Sequence, residues 1–119
     1  MKLAIVGSRT FNNWDLMIDI FNQHFPSLDG GWDIDMIISG GAKGADEIAY
    51  YTARNHHIPY KEFIAEWEKY GKSAGYKRNK QIVDACDMVL AFWDGKSKGT
   101  QHTINLAKEA KKPTFIVYF

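Results

Sequence analysis

Two glycine-rich turns carry the residues best suited to chemistry in this chain. Residues 39–46 read Ser-Gly-Gly-Ala-Lys-Gly-Ala-Asp, and residues 94–100 read Asp-Gly-Lys-Ser-Lys-Gly-Thr. Each turn follows an apolar run and precedes a helical pattern. Glycine lets backbone N–H groups approach a ligand closely, and a helix N-terminus adds a partial positive charge of about half a unit. The turns therefore predict phosphate binding, and two of them in a small chain favour a nucleotide-like ligand.

The predicted ligand-binding residues of these turns are the glycines and their polar neighbours. They are Ser39, Gly40, Gly41, Lys43, Gly44, Asp46, Asp94, Gly95, Ser97, Gly99 and Thr100. Asp46 falls in a first helical turn, where it either stabilises the helix start or binds a ribose hydroxyl. Thr100 is predicted both to cap the last helix and to donate to a phosphate. The first turn matches neither the Walker loop nor the Gly-x-Gly-x-x-Gly pattern, although its mechanism can be the same.

A third predicted group, Gly7, Ser8 and Arg9, follows the first apolar run. Its backbone donors and its guanidinium suit an anion, because the arginine fork matches phosphate geometry. The alternative interpretation is a turn that ends a strand and carries a solvated arginine. The residues alone leave both interpretations open.

A fourth predicted group, Trp67, Tyr70, Arg78 and Asn79, precedes and enters a helical pattern. The two aromatic side chains either cover a base or fill the edge of the sheet. Arg78 and Asn79 either face the ligand or lie on a solvated helix face, and we expect the former.

Apolar runs and helical spacings alternate along the chain. Strands are predicted over 2–6, 34–39, 60–64, 87–92 and 114–119, and helices over 14–25, 45–53, 73–85 and 100–111. The strands are continuous apolar runs, typical of parallel strands covered on both faces. We expect one domain over 1–119 with an α/β fold, a Rossmann-like doubly wound three-layer α/β/α architecture around a mainly parallel five-stranded sheet. Ligands of such sheets bind beyond the carboxyl ends of the strands, where the glycine turns fall.

The composition narrows the function classes. With 45% hydrophobic residues, 24% charged residues and a net charge of +1, the chain has no general electrostatic surface for duplex DNA. One cysteine, Cys86, forms no intramolecular disulfide, and the four histidines do not group at metal-ligand spacing, so we expect no metal and no cofactor. No run reaches the ~18 apolar residues of a membrane helix. We expect a cytoplasmic protein without a membrane partner.

These motifs, in this order, resemble the SLOG superfamily, and most closely its small single-domain branch of YspA-like proteins. The resemblance spans nearly the whole chain and is carried by Val6-Gly7-Ser8-Arg9, residues 39–46, Trp67 with Tyr70-Gly71, Ala74-Gly75, Arg78-Asn79, Asp94-Gly95 and Gly99-Thr100. It implies a Rossmann-like domain that binds nucleotides, nucleotide-derived ligands or nucleic acid. Such proteins often pair, so a homodimer is compatible with the resemblance.

Two related groups imply different activities. LOG-type phosphoribohydrolases cleave the N-glycosidic bond of a nucleoside monophosphate, and their second loop reads Pro-Gly-Gly-x-Gly-Thr-x-x-Glu. Gly99-Thr100 matches the Gly-Thr pair and Arg78 falls at the position of their active-site arginine, but Thr103 stands where the catalytic glutamate would be. The catalytic candidates are therefore Arg78 with Asp46 or Asp94, because an oxocarbenium-like transition state needs a carboxylate.

The other related group is the DNA-processing protein A type, which binds single-stranded DNA. Its glycine turns resemble residues 7–9 and 39–46, although these proteins are larger and use more basic residues. We expect a domain that senses, sequesters or processes a nucleotide-like small molecule in a hollow shared by Gly41, Arg78 and Thr100. Phosphoribohydrolase activity and binding of single-stranded nucleic acid are the alternatives.

Overall fold

The computed structural model describes residues 1–119 and contains one five-stranded parallel sheet. Its strands are β1 (Lys2–Gly7), β2 (Met36–Ser39), β3 (Tyr60–Glu62), β4 (Met88–Trp93) and β5 (Thr114–Tyr118). They lie in the order β3-β2-β1-β4-β5, and every neighbouring pair is parallel. Strand order therefore reverses between β1 and β4, the position at which such sheets open a crevice for a ligand. The predicted Rossmann-like α/β fold is confirmed.

Helices cover both faces of the sheet and make three layers. Helices α1 (Trp14–His24) and α2 (Ala45–Asn55) pack on one face, and α4 (Ala74–Ala85) and α5 (Lys98–Glu109) on the other. The short α3 (Trp67–Tyr70) and one 3₁₀ turn (Gly71–Ser73) lead into α4. None of these helices combines the length and the apolar character needed to cross a membrane.

Two apolar cores hold the layers together, because successive side chains of a strand point to opposite faces. On β1, Leu3 and Ile5 pack with α1 and α2, whereas Ala4 and Val6 pack with α4 and α5. The first core contains the large fully buried ring of Phe21. The continuous apolar runs of the central strands are thus explained by burial on both faces.

Two elements, β2 and the last helix, begin two residues away from their predicted starts. Ile34 is buried but precedes β2, whose first residue paired with β1 is Met36, opposite Lys2. The last helix begins at Lys98 and not at residue 100. Its N-cap is Ser97, whose hydroxyl accepts the N–H of Thr100 at 3.5 Å, so the prediction that Thr100 caps this helix is also wrong.

Candidate functional site

A cavity of about 410 Å³ lies beyond the carboxyl ends of β1 and β4. We call it the crevice. Of the residues predicted from sequence, it is lined by Gly7, Ser8, Arg9, Asp46, Arg78, Asn79, Asp94, Ser97, Gly99 and Thr100. The crevice therefore collects residues from the turn after β1, the start of α2, α4 and the start of α5.

Ser8 ties the turn after β1 to the loop after β4. Its N–H donates to the carbonyl of Phe92 at 2.9 Å, and its hydroxyl accepts the N–H of Asp94 at 3.1 Å. The Asp94 carboxylate accepts the N–H groups of Lys96 and Ser97, both at 2.8 Å. These backbone donors hold the pKa of Asp94 below its ordinary value. Asp94 thus shapes the loop that presents the N-terminus of α5.

Gly44 lets the first glycine turn lie directly against the turn after β1. It has φ +78°, and a Cβ at this position would come within 2.7 Å of the backbone carbons of Arg9. A larger residue would push the two turns apart. Gly44 also occupies the N-cap of α2 without a side-chain cap, so no side chain of the cap competes for the first N–H groups of that helix.

Asp46 places an unpartnered carboxylate oxygen at the junction of these turns. Its side chain is 6% exposed, its Oδ2 accepts the N–H of Ala42 at 3.1 Å, and its buried Oδ1 has no hydrogen-bond partner. Burial raises the pKa of Asp46 to about 6, although the nearby N–H groups of Ala42 and Gly40 and the charge of Arg78 act in the opposite direction. Buried polar atoms are nearly always satisfied, so Oδ1 is available to a hydroxyl or N–H of a ligand.

Arg78 and Asn79 connect α4 to both glycine turns. The Arg78 guanidinium donates from Nη1 to the carbonyl of Gly40 at 2.8 Å and from Nε to Oδ1 of Asn79 at 3.0 Å. A side chain at Gly40 would displace that guanidinium, because its Cβ would occupy the same space. Nδ2 of Asn79 lies 3.4 Å from the carbonyl of Gly99 and 3.2 Å from Nδ1 of His102. Arg78 is thus oriented by two fixed hydrogen bonds.

The start of α5 presents hydroxyl groups to the crevice. The hydroxyls of Ser97 and Thr100 lie 3.2 Å apart, and Thr100 is 4% exposed. Thr103, at the position of the phosphoribohydrolase glutamate, also lines the crevice, but its hydroxyl donates to the carbonyl of Gly99 at 3.2 Å. The carboxylates that line the crevice are therefore Asp46 and Asp94.

A second cavity, of about 360 Å³, adjoins the crevice and shares Ala42 and Asp46 with it. Gly41 and Lys43 line it, so Gly41 lies beside the hollow that contains Arg78 and Thr100 and not within it. The cavity is also lined by Tyr50, Tyr51, Tyr60, Glu47 and Glu62, and we call it the tyrosine pocket. Sequence reasoning missed these residues. The available signal was the position of Glu62 at the carboxyl end of β3, the edge where ligands bind.

The remaining predicted site residues lie outside both cavities. The indole of Trp67 is 56% exposed and lies against Gly75, where a Cβ would be 3.3 Å from it. The ring of Tyr70 has the ammonium groups of Lys77 at 4.5 Å and Lys69 at 5.0 Å. The role of this aromatic pair in covering a base stays a prediction.

Two other predicted residues differ sharply in burial. Ser39 is fully buried at the end of β2 and its hydroxyl has no partner. Gly95 is exposed in the loop before α5, with φ +81°.

No group of three His, Cys, Asp or Glu side chains is arranged to hold a metal ion.

Solved structures of two larger proteins share the fold. One is DNA processing protein A from Helicobacter pylori, whose structure gives insight into its single-stranded DNA binding mode. It matches this chain with a TM-score of 0.71 and 21% sequence identity. DNA processing protein A from Streptococcus pneumoniae has a TM-score of 0.73 and 22% identity. The matches cover 98% and 97% of this chain, but only 64% and 49% of those chains. At such identities the likeness shows the fold.

Two sequence comparisons give closer relatives. The gene 61 protein of Mycobacterium phage D29 is 33% identical over 122 residues, which cover 94% of this chain and 92% of that protein. A family model matches residues 1–70, which include β1, β3, the turn after β1 and the first glycine turn. The chain belongs to the YspA, cpYpsA-related SLOG family.

Proposed function

We propose that this chain binds a nucleotide or nucleotide-derived phosphate ligand in the crevice. The observation that carries the proposal is the buried Asp46 Oδ1, an acceptor without a partner in a cavity that Arg9 and Arg78 also line. A ligand that fits must offer both a hydrogen-bond donor and an anion. A ribose phosphate carries both groups, and family membership supports the same class of ligand.

The anion binds at the start of α5 and between the arginines. Helix N-termini favour phosphate through free N–H groups and the helix dipole. Thr100 adds a hydroxyl, and Arg9 adds a guanidinium that makes no ion pair within the chain. The ribose hydroxyl donates to Oδ1 of Asp46. Asp94 contributes by shaping the loop through its bonds to Lys96 and Ser97.

Calorimetry with AMP, ADP-ribose, a cyclic nucleotide and ribose 5-phosphate tests the proposal. We expect binding of at least one of these ligands, weakened about tenfold by Arg9→Gln, because one charge-assisted contact to phosphate is lost. Arg54→Gln is the matched control, since Arg54 is also exposed but lies in the last turn of α2. An absence of binding at millimolar concentrations of every ligand would contradict the proposal.

One observation favours hydrolysis of an N-glycosidic bond as a second candidate function. Asp46 has a pKa raised to about 6 and an open oxygen beside Arg78, so it can exchange a proton near neutral pH. In that case Asp46 takes the place of the glutamate that Thr103 replaces. Base release from nucleoside monophosphates, abolished in Asp46→Asn, would establish it. Stoichiometric binding without base release would leave a binding protein that senses or sequesters its ligand.

Binding of single-stranded nucleic acid is a third candidate, favoured by the fold shared with DNA processing protein A. Arg9 and Lys43 are exposed beside the crevice and available to a phosphate backbone. Backbone binding releases counterions, so the affinity for an oligonucleotide would fall steeply as salt rises. A binding series at increasing salt measures that slope, and a flat response with tight nucleotide binding excludes this candidate.

A further inference from the structure

The crevice and the tyrosine pocket together follow the carboxyl edge of the sheet. The crevice lies beyond β1 and β4, and the pocket adjoins the end of β3, where Glu62 pairs in register with Ser39 of β2. Neighbouring strands lie about 4.8 Å apart, so the edge from β4 to β3 measures about 14 Å. A phosphate alone fills only one end of this path. A nucleoside phosphate in an extended form reaches along it, past Asp46, which lines both cavities.

The tyrosine pocket offers aromatic surface on which a flat ring can stack. The rings of Tyr50 and Tyr60 meet edge to face, with centroids 5.2 Å apart and planes at 77°. Tyr50 and Tyr51 meet in the same way, at 5.1 Å and 73°. An edge-to-face pair covers one face of one of its two rings, and Tyr50 and Tyr51 remain 37% and 40% exposed, although the ring of Trp14 lies 5.8 Å from that of Tyr51. The ring of Tyr70, by contrast, already lies beneath two lysine ammonium groups.

The charges of the pocket suit a base and not a phosphate. Its lining includes the carboxyl groups of Asp46, Glu47 and Glu62 against one lysine, Lys43. Carboxylates repel a phosphate, but they accept hydrogen bonds from the N–H groups of a base. The crevice sets the carboxylates of Asp46 and Asp94 against two arginines, so its balance of charge is less negative than that of the pocket and suits the anionic end of a ligand better.

Glu62 is held in place for such an interaction. The hydroxyl of Tyr60 donates to its Oε1 at 3.1 Å. Its carboxylate also lies directly over Gly41, because a Cβ there would come within 2.5–2.8 Å of the carboxylate atoms. Gly41 has φ +71°, a conformation that side chains rarely adopt, so this close approach is built into the turn.

We propose that the tyrosine pocket binds a guanine base, with Glu62 accepting its N1–H and N2–H groups and Tyr50 and Tyr51 supplying stacking surface. This assignment rests on the proposed function, since the phosphate of the same ligand occupies the crevice. A carboxylate only accepts hydrogen bonds. Guanine presents two adjacent donors to it, whereas adenine presents one donor beside an acceptor. The pocket thus selects guanine among nucleobases.

Calorimetry with GDP, ADP and ribose 5-phosphate tests the assignment. We expect GDP to bind at least about tenfold more tightly than ADP or ribose 5-phosphate. Glu62→Gln should remove that preference and leave ribose 5-phosphate unaffected, because Glu62 lies outside the crevice. Glu68→Gln, an exposed carboxylate on α3, is the matched control and should leave all three affinities unchanged.

A second variant tests the stacking surface. Tyr50→Ala should weaken GDP at least about fivefold and ribose 5-phosphate not at all, because base–aromatic stacking is lost. Tyr118→Ala is its control, since Tyr118 is 65% exposed and contacts the ring of Trp93 at the far edge of the sheet. Competition by single-stranded oligonucleotides, with and without guanine, then shows whether the base belongs to a free nucleotide or to a strand.

The outcomes separate this assignment from the proposed function. If ribose 5-phosphate binds but GDP binds no more tightly than ADP, or if Glu62→Gln keeps the preference, the guanine assignment is overturned and the crevice stands. If neither ribose 5-phosphate nor any nucleotide binds, the proposed function itself fails. If Tyr50→Ala changes self-association in sedimentation and leaves GDP affinity unchanged, the tyrosines form a contact between copies and the assignment is overturned.

Discussion

Asp46→Asn should change how the stability of this protein depends on pH. Burial raises the pKa of Asp46 from 3.8 to about 6. Each pKa difference of one corresponds to about 1.4 kcal/mol, so keeping this carboxylate ionised costs about 3 kcal/mol of folding free energy at pH 8. Because the folded pKa exceeds the unfolded one, the folded chain binds more protons between about pH 4 and 6. This contribution to stability is present at acid pH and is lost as the pH rises through 6.

Asparagine has nearly the same shape and does not titrate. The free energy of unfolding of the variant, relative to wild type, should therefore rise by about 2.5 kcal/mol between pH 4 and pH 8. The four tryptophans provide a fluorescence signal for urea unfolding at each pH. Asp94→Asn is an internal control for which stability should depend on pH in the opposite direction. The backbone donors of Lys96 and Ser97 lower the pKa of Asp94, so its contribution to stability is lost as the pH falls.

A wild-type-to-variant difference that stays flat from pH 4 to pH 8 would refute the reasoning for Asp46. It would mean that this carboxylate is as well solvated in the folded chain as in the unfolded one. Oδ1 would then be hydrogen-bonded within the folded chain, and the main support for a ligand donor at this position would be gone. Addition of ribose 5-phosphate to the same series shows whether the ligand supplies that partner.

Three further comparisons, which use four substitutions, test the site and the core. Gly95→Ala should cost about 1 kcal/mol in urea unfolding through its φ of +81° alone, whereas Gly44→Ala should cost at least about 2 kcal/mol because its Cβ also meets backbone; equal costs would show that the turns do not touch. Arg78→Lys should lower the affinity for ribose 5-phosphate about tenfold in calorimetry, since one ammonium cannot donate to Gly40 and also make the proposed contact with the phosphate. An unchanged affinity would remove Arg78 from the site. Phe21→Ala should cost about 3–5 kcal/mol in urea unfolding because this ring is fully buried; a loss under 1 kcal/mol would contradict that packing.

The fold could be predicted because each element is marked by local residues. The central strands β1, β2 and β4 are continuous apolar runs, and Pro59 and Pro113 precede β3 and β5, so the predicted strands and long helices end within two residues of the observed ones. The error at the start of α5 has the same local origin. Ser97 and Thr100 are both good caps, and the spacing of apolar residues does not decide between them.

The tyrosine pocket could not be predicted in this way, because its residues are distant in sequence. Tyr50 and Tyr51 are neighbours on an exposed turn of α2, and Glu62 ends a short edge strand. They meet only because β3 pairs with β2 in the register that sets Glu62 beside Ser39, and because Gly41 admits the carboxylate. Strand register is a tertiary property, set by which faces are buried and not by the local sequence.

Asp46 and Asp94 show most clearly what separates a site residue from a structural one. Both belong to glycine-rich segments that follow a buried strand, so the sequence alone makes them equal catalytic candidates, and both line the crevice. The Asp94 carboxylate is occupied by two N–H groups of its own loop, which keep it ionised. Asp46 has one N–H partner, an open buried oxygen and a pKa near the working range of proton transfer. Asp46 is therefore the carboxylate that we expect to touch a substrate, and an Asp94→Asn variant that keeps its loop should retain whatever activity Asp46→Asn loses.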